Sequence, residues 1–238
     1  MTDSKLLTGK LALITGASRG IGAATAEALA AEGAHVILVA RTASALEEIE
    51  ERIHQAGGTA TIAPLDLTEG ESIGKLAGAV AERWQKLDIL VLNAAMLGSL
   101  SPVQDIDPKE YARLLGINLL ANQAMIAAFD PLLKRADSAD IVALTSSVGA
   151  EPRAFWGAYG SSKAALEALL GAYADETAFT NRIRVHIVDP GATRTRMRAL
   201  AFPGEEPDKV KPPEVVGRAI VERLIADAPS GERVRVDA

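Results

Sequence analysis

Leu11-Ala12-Leu13-Ile14-Thr15-Gly16-Ala17-Ser18-Arg19-Gly20-Ile21-Gly22 runs from an apolar stretch through a glycine-rich turn into a second regular segment. Leu11–Ile14 is apolar without alternation and stops at turn residues, as expected of a strand buried on both faces. The glycines that follow are spaced Gly-x-x-x-Gly-x-Gly at Gly16, Gly20 and Gly22. Glycines so placed let the chain turn tightly, let its backbone approach a pyrophosphate, and let a helix pack close to a strand. The N–H groups of a helix opening at Ile21 would then face the phosphates. Gly16, Ser18, Arg19, Gly20, Ile21 and Gly22 are therefore the expected cradle of a dinucleotide.

Outward from this stretch the same strand–helix alternation repeats. Val36–Ala40, Thr61–Leu65, Ile89–Leu92, Ile141–Leu144 and Ile183–Val188 read as further buried strands, with a last short one at Val234–Val236. Between them lie helical stretches at Ile21–Ala31, Ala43–Gln55, Ser72–Trp84, Pro108–Leu133, Trp156–Ala178 and Pro213–Asp227. An interruption of the long fourth helix is expected near Pro131, which lacks the N–H a helix interior needs. Right-handed βαβ crossovers then give an α/β fold: a doubly wound, mostly parallel seven-stranded Rossmann sheet with helices on both faces. No composition break divides residues 1–238, so one domain is expected. Ala199–Pro213, rich in proline and glycine, reads as a surface loop or lid, part of a substrate loop near 195–213.

Composition narrows the function. The 238 residues are 48% apolar and 24% charged, as in a soluble globular domain, and the formal net charge is −6. That charge argues against a nucleic-acid partner held by phosphate neutralisation. With no cysteine, disulfides, thiol catalysis and thiolate metal sites are excluded. His35, His54 and His186 stand apart and suggest no metal. The polar start Met-Thr-Asp-Ser-Lys leads into no secretory segment, and no apolar run reaches the ~18 residues of a membrane span. A cytoplasmic protein with no membrane partner is the expectation.

The second strand bears on cofactor choice. Where an NAD-selective fold carries an acidic residue for the ribose hydroxyl, about 20 residues beyond the glycines, this chain has Val39-Ala40-Arg41-Thr42. Arg41, helped by Arg19, could instead hold a 2′-phosphate through charge-assisted hydrogen bonds. NADP(H) is thus expected over NAD(H). Asp66 and Leu67 follow the third strand, where Asp66 could accept the adenine amino group or close a turn.

Chemistry enters with Tyr159-Gly160-Ser161-Ser162-Lys163. A helix begun near Trp156 puts Tyr159 and Lys163 on one face, a turn apart. An ammonium about 4.5 Å from a phenol, at an effective dielectric of about 20, favours the phenolate by roughly 3–4 kcal/mol. Lys163 is therefore expected to lower the Tyr159 pKa toward the range of useful general acid–base catalysis. Upstream lies the serine pair Ser146–Ser147.

With these residues in place the chain resembles the compact single-domain branch of the short-chain dehydrogenase/reductase family, from Gly9 to Asp237. Gly16, Gly20 and Gly22 match its cofactor turn, and Leu92-Asn93-Ala94-Ala95 its Asn-Asn-Ala-Gly motif. Asn118 in Ile117-Asn118-Leu119 matches a helix asparagine, and Tyr159 and Lys163 the Tyr-x-x-x-Lys pair. Pro190-Gly191-Ala192-Thr193-Arg194-Thr195 matches a Pro-Gly turn with a downstream threonine. The resemblance implies that Tyr159 exchanges a proton with the substrate oxygen and that Lys163 tunes it and holds the nicotinamide ribose. It implies a serine steadying the carbonyl oxygen and Asn118 positioning water behind the lysine. Asn93, Ala94, Pro190, Gly191, Thr193 and Thr195 would line the cofactor. Hydride would pass between the nicotinamide and a small-molecule carbonyl or alcohol. Family members are commonly dimers or tetramers, so a homotetramer is expected.

The match departs from the family at two places. Leu92 and Ala95 replace the first asparagine and final glycine of the family motif. The serine is ambiguous: Ser146 has the family's 13-residue interval to Tyr159, whereas local similarity favours Ser147. Strand alternation lets only one of them face the site, and Ser146 is preferred. Leu97, Phe155, Trp156, Met197, Leu200 and Phe202 are candidates for an apolar substrate wall, for core or for a subunit interface. The alternative function is a non-catalytic NADP(H)-binding redox sensor, which would need the glycines but not the catalytic set.

Overall fold

The structure, a computed structural model, describes residues 5–180, 182–226 and 228–237. Seven parallel strands, β1 (Leu11–Thr15), β2 (His35–Ala40), β3 (Thr59–Pro64), β4 (Ile89–Leu92), β5 (Ala139–Leu144), β6 (Ile183–Asp189) and β7 (Arg233–Arg235), pair in the order β3-β2-β1-β4-β5-β6-β7. The helices are α1 (Gly20–Ala31), α2 (Ala43–Gln55), α3 (Ser72–Trp84), α4 (Pro108–Leu115), α5 (Ala121–Leu133), α6 (Ser147–Ala150), α7 (Gly157–Ala178), α8 (Arg196–Ala201) and α9 (Pro213–Ile225). The expected doubly wound sheet is the observed one, with α2, α3 and β4 at the expected boundaries. The end of the last expected helix, Asp227, lies outside the described residues.

Strand alternation divides two apolar cores. Leu13, Ile37, Leu90 and Ile141 point to one face, against Val80 of α3, Phe129 of α5 and Leu166 of α7. Ile14, Leu38, Val91 and Val142 point to the other, against Leu29 of α1, Leu46 of α2 and Ile220 of α9. Both faces of the central strands are thus covered, which is why their sequences show no polar alternation. On the second face α1 and α9 nearly touch. A methyl at Gly217 would lie 2.7 Å from the Ala24 carbonyl oxygen, so only glycine permits that approach.

The long fourth helix is interrupted, though elsewhere than expected. Pro131 lies inside α5, and the break is a π-helical turn at Gly116–Leu120, between α4 and α5. Asp107 caps α4, accepting from the Lys109 and Glu110 N–H groups, with Pro108 opening the helix. The combined stretch Pro108–Leu133 is 26 residues long and, at a best-window mean hydropathy of 1.2, apolar enough to cross a membrane. Met125, Phe129, Leu132 and Leu133 of that stretch are instead buried against the sheet.

Strand order reverses between β1 and β4, which both leave the sheet at their carboxyl ends beside each other. A doubly wound sheet opens its ligand crevice at this point. The glycine turn, the Asn93 loop and the segment after β6 all meet there.

Candidate active site

The cofactor end of the crevice is built largely from backbone. Gly16 and Gly20 hold φ of +66° and +57°, values that disfavour a side chain. A methyl at Gly22 would stand 2.3 Å from the Gly16 carbonyl oxygen, and one at Gly16 would stand 2.9 Å from Asn93 Nδ2. The Asn93 amide donates to the Thr15 and Gly16 carbonyls at 2.9 and 3.1 Å. Thr15 Oγ1 in turn accepts from the Asn93 and Ala94 N–H groups. Ala17 N–H is bonded to the Val39 carbonyl, which ties the turn to the end of β2. The turn is therefore fixed before any ligand arrives. Arg19, the N-cap of α1, provides no side-chain cap, so the first N–H groups of that helix are open to an anion. These features fit a dinucleotide pyrophosphate.

Around this cradle, Arg41 is exposed at the end of β2, with Nη1 3.9 Å from Asp66 Oδ2. Asp66 Oδ1 accepts from the Thr68 N–H and hydroxyl, so the turn role is the one observed. Those bonds hold its carboxyl below the usual range. The Leu67 side chain is buried in the core. Thr195 caps α8, and its methyl approaches the Cβ position of Gly20 to 3.5 Å, so the base of the lid overhangs the turn. Thr193 is buried and donates to the Pro190 carbonyl, and Gly191 holds φ of +59°.

Tyr159 and Lys163 share one face of α7, both buried, as the spacing predicts. Their neighbours explain the sequence between and around them. Gly160 lies where a methyl would meet the Val148 carbonyl oxygen at 2.8 Å, and Gly149 lies where one would meet Lys163 Cβ at 3.1 Å. The two glycines let α6 sit directly on α7. Ser161 hydrogen-bonds the Tyr111 hydroxyl, and Ser162 accepts from Asn118 Nδ2 at 3.0 Å. The Asn118 carboxamide also exchanges bonds with the Met96 peptide at 2.8 and 2.9 Å. The π-helical turn thus presents Asn118 as a brace between the loop after β4 and the residue preceding Lys163.

The expected lowering of the phenol pKa is corrected. Lys163 Nζ donates to the Leu144 carbonyl at 2.7 Å and lies 5.9 Å from the Tyr159 ring centre. Burial, followed by the charge of Asp189, pushes the Tyr159 phenol above its ordinary value. Burial pushes Lys163 down to about 8, with Glu167 opposing that shift. Desolvation, which disfavours the charged form of each group, dominates at both. Of the two serines, Ser147 Oγ accepts from Arg153 Nη2 at 3.4 Å, whereas Ser146, two residues beyond β5, is the extended N-cap of α6.

The 195–213 segment, expected as a loop, is partly helical. Ala199–Ala201 closes α8, and the segment is pinned at its base by a bridge between Thr193 and Lys211. Trp156 links it to the site, with ring centres 6.0 Å from Tyr159 and 5.8 Å from Phe202. Arg198 stacks 3.7 Å from the Phe202 ring centre and makes a two-pronged bond to Glu205. Leu200 and Phe155 remain exposed, Phe155 with a φ of +71°. Among the described residues no cluster of three or more His, Asp or Glu is placed to hold a metal.

The sequence matches the short chain dehydrogenase family over residues 10–206. The chain belongs to the short-chain dehydrogenase/reductase family. It is 37% identical over 211 residues to the oxidoreductase YciK of Escherichia coli K12, covering 87% of this chain and 83% of that one. A short-chain dehydrogenase structure from Pseudomonas syringae superposes with a TM-score of 0.95 at 36% identity, covering 100% and 98% of the two chains. One from E. coli CFT073, solved with NADPH, gives 0.92 at 34% identity over 99% and 100%. This short-chain dehydrogenase/reductase is accordingly an NAD(P)-dependent oxidoreductase of small molecules.

Two charged groups of the dehydrogenase escaped the sequence reading. Glu167 lies four residues beyond Lys163, a spacing that could have flagged it. Arg233 reaches the site only through the pairing of β7 with β6, which no local pattern encodes.

Proposed function

We propose that this dehydrogenase reduces a carbonyl on a small, apolar molecule at the expense of NADPH. The observation that carries the reading is the pair Tyr159 and Lys163, both buried on one face of α7, with Lys163 Nζ held by the Leu144 carbonyl. A neutral phenol is the form that donates a proton to an oxygen gaining negative charge. Tyr159 supplies that proton, and Ser146 steadies the developing charge. Lys163, near 8, is the adjoining proton reservoir and is aimed by the Leu144 carbonyl. Asn118 acts by holding α7 and the Met96 loop in register. The bound cofactor supplies the hydride, so hydride and Tyr159 proton together convert C=O to CH–OH.

Arg41 and Arg19 support NADPH over NADH: both are exposed cations at the mouth of the cradle, with only a distant carboxylate near Arg41. Trp156 and Phe202 support an apolar substrate face. A panel of ketones, aldehydes, sugars and keto acyl-thioesters, followed through NADPH absorbance, tests the reading. At least one apolar carbonyl should be reduced faster with NADPH than with NADH. Binding of NADPH without consumption by any member would favour the redox-sensor alternative.

A further inference from the structure

Three consecutive residues at the end of β5 are each gripped by a charged side chain. The Leu144 carbonyl accepts from Lys163 Nζ. The Thr145 hydroxyl donates to Glu167 Oε1. The Ser146 carbonyl accepts from Arg233 Nη2 at 3.3 Å. Arg233 also donates through Nε to Glu167 at 3.2 Å and through Nη2 to Asp189 Oδ2 at 3.3 Å. Its direction follows from the strand: Val234 packs into the α1–α9 core, so its neighbour Arg233 points to the α7 side.

We propose that Arg233 is a positioning residue that sets the Ser146 backbone and neutralises Glu167 and Asp189, the two carboxylates facing Lys163 and Tyr159. The charges around the cluster leave few substitutes. Glu167 faces Lys163 from the same helix and, among the described residues, accepts from the Thr145 hydroxyl and from Arg233. Asp189 is almost wholly buried and accepts the Gly191 N–H. Lys211 and Arg235 lie nearby, but the Lys211 ammonium bonds the Ala192 carbonyl. Arg235 pairs with Asp237. A buried carboxylate that loses its partner raises the proton affinity of neighbouring groups.

The proposal rests on the Tyr159–Lys163 reading only for its kinetic consequence. It is tested by NMR titration of lysines carrying ¹³C at Cε, with the Lys163 signal assigned through K163M. Arg233→Met should move the Lys163 midpoint upward by about one pH unit. Adding E167Q to that variant should bring it back. Arg233→Lys keeps the charge with a shorter reach, so its midpoint should move in the same direction but less, which covers the case in which R233M does not fold. In turnover, kcat should fall about 10- to 100-fold while the NADPH Kd stays within about threefold. An unmoved Lys163 midpoint in a folded Arg233 variant overturns the proposal, whatever turnover does. A moved midpoint in a protein that reduces no carbonyl overturns the functional reading alone.

Discussion

The two ends of the crevice are made by different means. At the cofactor end, glycines at positive φ, the Thr15 hydroxyl and the Asn93 amide bond backbone to backbone. At the other end, Trp156, Phe202, Arg198 and Glu205 hold the 195–213 segment through side chains that meet near the surface. The first end tolerates almost no added atom. The second can separate by turning a few side chains, because surface ion pairs and ring contacts are individually weak. Under the proposed function, the first end holds the cofactor and so needs a fixed shape, while the second admits substrate and so needs one that can open.

Substitutions at the rigid end should therefore be the most damaging. Gly22→Ala forces a methyl onto the Gly16 carbonyl, now 2.3 Å from its place. NADPH affinity should fall at least about 100-fold by fluorescence titration, since the phosphate-facing backbone must move. A near-normal affinity would mean that the turn is softer than its bonding suggests.

The catalytic helix carries a stability signature between the two ends. The Lys163 pKa is depressed in the fold, from 10.5 to about 8. The unfolded chain thus holds more protons between those values, and Lys163 makes stability rise with pH across that window. Below about pH 8 the burial penalty is complete. The wild-type stability minus that of Lys163→Met should climb by about 3 kcal/mol between pH 8 and 10.5. Above pH 10 the trend reverses in the wild type, because unfolding releases the buried Tyr159 and Tyr173 to ionise. Denaturant melts across pH 7–11 give both limbs; a flat difference would place Lys163 in a wetter setting.

Arg41→Ala sits at the rim of the rigid end and should be selective. NADPH affinity should drop about 10- to 100-fold, the worth of a lost charge-assisted contact, with NADH affinity unchanged. Equal losses for both cofactors would remove the 2′-phosphate assignment. Phe202→Ala, at the loose end, should raise KM by less than about tenfold and leave thermal stability within error. A fall in Tm instead would show that the lid is part of the core.

This contrast also explains how much could be read from the sequence. The strands, the glycine turn, Asn93 and the Tyr159–Lys163 spacing were legible because local backbone geometry dictates residue type there. The π-helical turn was not. There the Asn118 carboxamide bonds the distant Met96 peptide, a contact no local pattern encodes, whereas Pro131, the local breaker, lies within the last turns of α5. The direction of the Tyr159 shift was also hidden, since spacing reports that a cation is near but not that burial outweighs it. Arg233 was hidden most completely, because its place depends on which strand lies beside β6.

The most direct test of the account compares Tyr159→Phe with the wild type on one reducible carbonyl. NADPH should bind Tyr159→Phe within about threefold of the wild-type affinity, while kcat falls by about 100-fold or more for want of the proton donor. Turnover retained at the wild-type rate by the phenylalanine variant would contradict the account.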